Sequence, residues 1–158
     1  MENKPLTLIT AITGLLCLGY GFYLLFQTEG LTSTNSISKP LIQKRITVPS
    51  TVMWYDTGID IPQGKQYEIV YYSGKWTNLK GTDATDGLGK HSDNRKSLIV
   101  PGGYLSQLAG KIGKDIFIVG NKRVAETSEA GRLYLSMNDV PKTFHDNEGA
   151  LDVLVEVK

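Results

Sequence analysis

Two runs of alternating apolar and polar residues near the C-terminus constrain the fold of this chain more than any other feature. Successive side chains of a β-strand point to opposite faces of its sheet, so a period of two indicates a strand with one buried face. The apolar positions are Leu133, Leu135 and Met137 in the first run, and Leu151, Val153, Val155 and Val157 in the second. The pattern therefore predicts two half-buried strands.

The segment between these runs, residues 138–149, is rich in side chains that carry oxygen. Asp139 lies near its start, and Asp146 and Asn147 lie near its end. If the two strands pair or lie side by side, these three side chains converge. Calcium binds about six to eight such oxygens from carboxylates, amides and backbone carbonyls. Asn, Asp and Gly are also ordinary turn formers, so the residues alone leave a calcium loop and a plain turn as alternatives.

The same segment resembles the calcium loop of the galactophilic PA-IL-type bacterial lectins. The residues that carry the resemblance are Asn138, Asp139, Val140, Pro141, Thr143, Asn147 and Gly149. Weaker similarity extends upstream through Gly74, Trp76 and the run 111–113, so the resemblance covers residues 50–158 in outline. In that family a β-sandwich holds a calcium ion that itself binds two sugar hydroxyls. The resemblance implies the same fold, calcium as the cofactor and carbohydrate as a partner.

The resemblance also implies a set of metal ligands. Asp139, Asp146 and Asn147 would supply side-chain oxygens to calcium, and Thr143 would supply its backbone carbonyl. A further backbone carbonyl would come from the segment near Leu79.

The chain departs from the family pattern at three positions around this loop. Asp146 stands where the galactose-binding lectin has an amide, which adds negative charge and favours the ion. Lys142 replaces a small residue at the lip, where a long cation would hinder a sugar or recruit an acidic partner. His91 lies near the position of the sugar-holding His, but no His-Pro-x-Gln pattern surrounds it. His91 and Lys142 are therefore the candidate ligand-binding residues, and the resemblance favours the fold and the ion more than galactose.

Residues 6–26 form an uncharged apolar stretch at the other end of the chain. About 20 apolar residues span a bilayer as an α-helix, whereas a signal peptide has a shorter apolar region followed by small residues at a cleavage site. The sequence predicts a cytoplasmic tip over 1–5, a transmembrane helix over 6–26, a polar linker over 27–45 and a β-sandwich over 46–158. Because calcium is abundant outside the cytoplasm, we expect a single-pass membrane protein whose C-terminal domain is periplasmic or extracellular.

Thr13, Cys17 and Gly21 recur every four residues within this stretch. Small residues at that spacing lie on one face of a helix and let a second helix approach closely. The stripe predicts packing against other membrane subunits, although such residues are also common in membrane helices generally.

The fold class predicted for residues 46–158 is all-β. Many short strand-like runs are separated by turns, no long helical period occurs, and the pattern favours a jelly-roll, galactose-binding-like β-sandwich. Residues 116–119 form a short apolar run that indicates a buried strand, and residues 78–97 have the Gly and Asp content of a loop.

Composition and missing motifs exclude several classes of function. A formal net charge of +1 gives no basic surface for nucleic acid. The single cysteine, Cys17, allows no intrachain disulfide. Asp139 and Asp146 resemble the carboxylate pair of a glycosidase, but carboxylates that share a calcium ion are not free for acid–base catalysis. We therefore expect a protein that is not an enzyme.

Two functions remain open on the sequence. In the first, the anchored sandwich is an accessory subunit that the helix docks into a larger membrane assembly. In the second, it is a cell-surface lectin that binds galactose-type sugars through calcium.

Overall fold

A computed structural model describes residues 39–158 of the protein, which form eight β-strands and one short 3-10 helix. The strands are β1 (Ile42–Pro49), β2 (Tyr55–Ile61), β3 (Gln66–Thr77), β4 (Leu108–Ile112), β5 (Asp115–Ile118), β6 (Lys122–Glu126), β7 (Gly131–Met137) and β8 (Glu148–Val157). The 3-10 helix, Phe144–Asp146, lies between β7 and β8.

The eight strands form two four-stranded antiparallel sheets. One sheet has the order β1-β8-β3-β6, and the other has the order β2-β7-β4-β5. Several consecutive strands therefore lie in opposite sheets, which is the arrangement of a jelly roll. The predicted all-β sandwich of jelly-roll type is confirmed for the described part of the chain.

The core consists of the inward side chains of both sheets. In β8 the inward positions Val153, Val155 and Val157 are fully buried, and in β7 Leu133 and Leu135 are fully buried. Each buried side chain of this kind stabilises the fold by about 1.5–3 kcal/mol relative to an exposed one. The alternation in the sequence thus identifies the buried face of both strands correctly.

The structure corrects the expected relation between β7 and β8. The two strands do not pair, because β7 hydrogen-bonds to β2 and β4 while β8 hydrogen-bonds to β1 and β3. Residues 138–147 therefore cross from one sheet to the other. The ends of the loop are held by two sheets, not by one hairpin.

Three smaller expectations also differ from the structure. β5 is an edge strand whose Ile116 is 46% exposed, so this run is not a buried strand. β6 escapes the sequence pattern because its ends, Lys122 and Glu126, are charged and it lies at a sheet edge. β1 begins at Ile42, so residues 42–45, which the sequence assigns to the linker, belong to the sandwich.

The predictions for the N-terminus lie outside the described residues. They comprise the tip 1–5, the transmembrane helix 6–26, the linker up to residue 38, and the packing residues Thr13, Cys17 and Gly21. Between residues 39 and 158, no helix is long and apolar enough to cross a membrane.

A glycine permits the close approach of β3 and β8 at the centre of their sheet. Gly74 has φ +90°, and a Cβ atom there would lie 2.4 Å from the carbonyl oxygen of Ala150. The strand register shifts between Tyr71 and Ser73, just before this position. A side chain at residue 74 would therefore meet both an unfavourable backbone angle and a backbone atom that cannot move aside.

Replacing Gly74 with Ala should lower the free energy of unfolding by roughly 3 kcal/mol or more, because conformational strain and a steric clash add. Gly81→Ala is the matched control, since Gly81 also has a positive φ but has no atom within 4 Å of the added Cβ. That control should cost only about 1–2 kcal/mol. Equal losses in the two variants, measured by denaturant unfolding, would contradict the steric part of the explanation.

Candidate functional site

The loop between β7 and β8 folds as two successive turns. The Thr143 amide and hydroxyl both donate to the Val140 carbonyl, at 3.2 and 2.8 Å, which closes the first turn. The 3-10 helix then follows, and its Phe144 side chain is buried in the core between the sheets. This anchored crossover places Asp139 at one end of a short compact segment and Asp146 at the other.

Three side-chain oxygens of this segment are buried and have no hydrogen-bond partner among the described residues. They are Asp139 Oδ2, Asp146 Oδ1 and Asn147 Oδ1. Asp139 is 3% exposed and Asn147 is 6% exposed, so water reaches them poorly. All three atoms accept hydrogen bonds, and a bound cation would satisfy such acceptors together. The three residues that the resemblance assigns as side-chain ligands therefore fit a calcium ion.

The remaining polar atoms of two of these residues fix their orientation. Asp139 Oδ1 accepts a hydrogen bond from the Val140 amide at 2.7 Å. The Asn147 side-chain nitrogen donates to the Ser50 carbonyl at 2.9 Å, so the amide oxygen of Asn147 is the atom left free. The atoms of these three side chains that lack a partner are therefore all oxygens.

The two predicted backbone carbonyls have different surroundings. The Thr143 carbonyl accepts one bond, from the Asp146 amide at 3.2 Å, and keeps a second lone pair. The Leu79 carbonyl accepts from the hydroxyls of Thr77 and Thr82, at 3.2 and 2.7 Å, and from the Thr82 amide at 3.2 Å. The Lys80 amide donates to the Asp146 carbonyl at 2.8 Å, which places the Leu79 segment against the loop. To bind the ion, the Leu79 carbonyl oxygen would have to give up one of its hydrogen bonds.

Asn138 joins the loop to a second segment, residues 98–107. Its side chain is fully buried. Its oxygen accepts from the Val100 amide at 2.9 Å, and its nitrogen donates to the carbonyls of Val100 at 3.3 Å and Tyr104 at 3.0 Å. Next to it, the Ile99 amide donates to the Asp139 carbonyl at 3.0 Å. The backbone that carries Asp139 is therefore held from the side by a neighbouring loop.

His91 lies on the continuation of this neighbouring loop. Its ring packs against that of Tyr104 at a tilt of 53°, with a centroid separation of 4.8 Å, and it is exposed. The Tyr104 carbonyl also accepts a hydrogen bond from the Asn138 side chain. His91 is therefore connected through Tyr104 to Asn138, which begins the candidate loop. The structure thus brings the predicted ligand-binding His91 to the same end of the sandwich as Asp139.

Arg95 adds positive charge beside the loop. Its guanidinium forms a bidentate ion pair with Asp93, and this pair lowers the pKa of the Asp93 carboxyl. The hydrogen bonds that Arg95 donates to Asp93 raise the pKa of Arg95, and the negative charge of Asp139 adds a smaller contribution. The positive charge of Arg95 is therefore attracted by the candidate ligand Asp139 as well as by Asp93.

Lys142 lies at the exposed lip of the loop, as its position in the sequence predicts. Its φ of +81° is in the left-handed region that favours glycine. The ring nitrogen Nδ1 of His145 lies 3.1 Å from the Lys142 carbonyl, and both residues are exposed. His145 is thus an exposed turn residue whose ring contacts the backbone of the loop.

The sequence did not reveal the structural roles of two residues that build the site. Asn138 lies in the motif, but its bonding partners are in a loop that no local pattern identifies. Ser50 carries no motif at all, yet its carbonyl orients Asn147. In the described part of the chain, no cluster of three or more His, Cys, Asp or Glu side chains is placed to hold a metal. The candidate set has two carboxylates, and its other oxygens are amide and carbonyl.

Comparison with known proteins agrees with this architecture. The model of the family described as PA-IL-like protein matches residues 54–158. The chain belongs to the PA-IL-like family. This confirms the resemblance that the loop carries and makes the sandwich a lectin-like domain.

A solved structure shows the same fold. It is the N-terminal domain of EclA, described as a PllA-like lectin, and it matches with a TM-score of 0.58 and 21% sequence identity. The match covers 72% of this chain and 95% of that one. No curated protein sequence matches the chain.

Replacing Asn138 with Ala should lower the free energy of unfolding by about 3 kcal/mol, because three partly buried backbone groups lose their partner. Asn94→Ala is a suitable control, since Asn94 is exposed and a surface change of this kind usually costs less than about 0.5 kcal/mol. Chemical denaturation of both variants measures the difference. An Asn138→Ala protein as stable as the control would mean that the neighbouring loop is not held through this side chain.

Proposed function

We propose that residues 39–158 form a carbohydrate-binding domain that recognises galactose-type sugars through a calcium ion, without catalysing a reaction. The observation that supports it most directly is the set of unpartnered buried oxygens on Asp139, Asp146 and Asn147. These residues are the ones that the resemblance to the PA-IL-type calcium loop assigns to the ion. A structural turn alone would leave no reason for three buried acceptors without donors in one short loop.

The chain's own residues would divide the work of binding. Asp139, Asp146 and Asn147 would hold calcium with side-chain oxygens, and Thr143 and the segment of Leu79 would add carbonyl oxygens. When bound, the ion supplies a positive centre with open coordination positions that accept sugar hydroxyl oxygens. His91, exposed beside Tyr104, is placed at the same end of the sandwich to contact the sugar. Asn138 and Ser50 position the ligands without touching the ion.

A membrane-anchored accessory role is the second candidate, and the uncharged stretch 6–26 favours it. The two roles are compatible, because an anchored sandwich can display a lectin site outside the cell. The sequence places the accessory role first. Family membership and the unpartnered oxygens favour the lectin over the accessory role. We also propose that the lectin is anchored in the membrane by residues 6–26 and lies outside the cytoplasm.

Calcium should stabilise the full-length protein, and Asp139→Asn should abolish that effect. A ligand present at about 100 times its Kd raises the free energy of unfolding by about 2.7 kcal/mol. Without calcium, Asp139→Asn should be at least as stable as the wild type, because it removes a buried charge but keeps the acceptor for the Val140 amide. Thermal unfolding with calcium and with a chelator measures both effects.

The same samples test sugar binding. Wild-type protein should be retained on a galactose matrix with calcium and released by the chelator, and Asp139→Asn should not be retained. Asp83→Asn is the matched control, because Asp83 is an exposed carboxylate in the neighbouring loop. Retention that persists in chelator would exclude a calcium-dependent lectin, and calcium stabilisation without any retention would indicate a purely structural ion.

The stretch 6–26 should hold the protein in membranes. We expect the full-length protein to resist extraction from membranes at alkaline pH, and a variant lacking residues 6–26 to be released. A variant lacking residues 28–36 controls for shortening of the chain. Protease added to spheroplasts, in which periplasmic and extracellular domains are both accessible, should degrade the C-terminal domain. A domain protected until the spheroplasts are lysed would place it in the cytoplasm.

A further inference from the structure

Exposed cations border the candidate loop, and we call Lys80, Arg95 and Lys142 the basic rim. Lys142 belongs to the loop itself. Lys80 is fixed beside the loop by the bond from its amide to the Asp146 carbonyl, at 2.8 Å. Arg95 lies on the segment whose Ile99 amide bonds the Asp139 carbonyl. The rim residues therefore come from three segments that meet at the candidate ligands.

The charges of the basic rim are not all compensated. Arg95 is paired with Asp93, and its charge is locally cancelled. Within residues 39–158, neither Lys80 nor Lys142 forms a salt bridge. The exposed Asp83 on the Lys80 segment opposes one of these two lysines.

A bound calcium ion would not cancel the positive charge that Lys80 and Lys142 contribute. The two charges of the ion would match the two carboxylates Asp139 and Asp146. Glu148 follows the loop, but the alternation of β8 places it on the outer face of its sheet. With Asp83 opposing one of them, Lys80 and Lys142 would leave a small net positive charge at the mouth of the filled site.

The backbone at Lys142 gives a second argument. A residue other than glycine at φ +81° costs stability, and such strain persists where the side chain has a use. A small residue would suit this turn better, yet the chain places a long flexible cation at the lip. The side chain is exposed, so packing does not explain the choice.

We propose that the sugar recognised at this loop carries an anionic group, either a carboxylate or a sulfate ester, which Lys142 and Lys80 bind beside the calcium ion. This inference rests on the proposed calcium-dependent sugar binding and adds the class of sugar to it. A cation at the rim attracts such a group by long-range steering as well as by direct contact.

The test compares neutral and anionic sugars on the full-length protein in mild detergent with saturating calcium. The probes are methyl galactoside, galacturonic acid and a sulfated galactose, whose dissociation constants are measured by calorimetry. We expect the anionic sugars to bind about three to ten times more tightly than the neutral one near 0.1 M salt. The preference should shrink near 1 M salt, where the Debye length falls from roughly 10 Å to roughly 3 Å.

Two variants assign the effect to the rim. Lys142→Asn removes the charge and suits the left-handed backbone, and Lys80→Gln removes the charge at similar length. Each should lower the ratio of the affinity for the anionic sugars to the affinity for the neutral sugar about threefold. Lys114→Gln is the matched control, because Lys114 is an exposed cation in the β4–β5 turn at the other end of the sandwich.

The outcomes separate this inference from the proposed function. Equal affinity for neutral and anionic sugars would overturn the inference and leave the calcium-dependent lectin intact. Tighter binding of the neutral sugar to Lys142→Asn would also overturn it, since Lys142 would then be a steric barrier. Calcium stabilisation with no binding of any of the three sugars would overturn both. A preference for only the carboxylate or only the sulfate supports the inference and identifies the group.

Discussion

The buried carboxylate of Asp139 is the constraint on which the site depends. One of its oxygens is bound to the adjacent amide, and the other is enclosed without a donor. An unpartnered buried acceptor costs free energy, and the proposed calcium ion would remove that cost. Asp146 and Asn147 each add one further buried oxygen without a donor.

The jelly-roll topology restrains this loop. In a hairpin both ends of the loop would belong to one pair of strands and could move together. The crossover instead fixes one end of the loop to each sheet of the sandwich. Phe144 is packed in the core, and Asn138 ties the beginning of the loop to residues 98–107. The oxygens are thereby positioned before any ion arrives, and preorganised ligands bind a metal with less loss of entropy.

The sequence predicts the strands of this region well, because β7 and β8 each bury one face and period-two burial leaves a clear pattern. It fails for β6, since an edge strand with charged ends lacks that pattern. The candidate ligands were identified by resemblance and not by spacing. The crossover between sheets and the bonds of Asn138 are tertiary facts that join residues more than thirty positions apart. No local propensity contains them, so the way in which the ligands are held could not be predicted.

The charges around the loop separate ion binding from sugar selection. Two carboxylates in place of one carboxylate and an amide make the empty loop more negative and favour a divalent cation. Once that cation is bound, its charge and theirs cancel, and the ion no longer biases the mouth toward either sign. In the proposed site the neighbouring lysines would then select among sugars, and they would act in water, where each charge has a modest and salt-dependent effect. Affinity for the ion and preference among sugars would thus be controlled by different residues, so that one could change without disturbing the other.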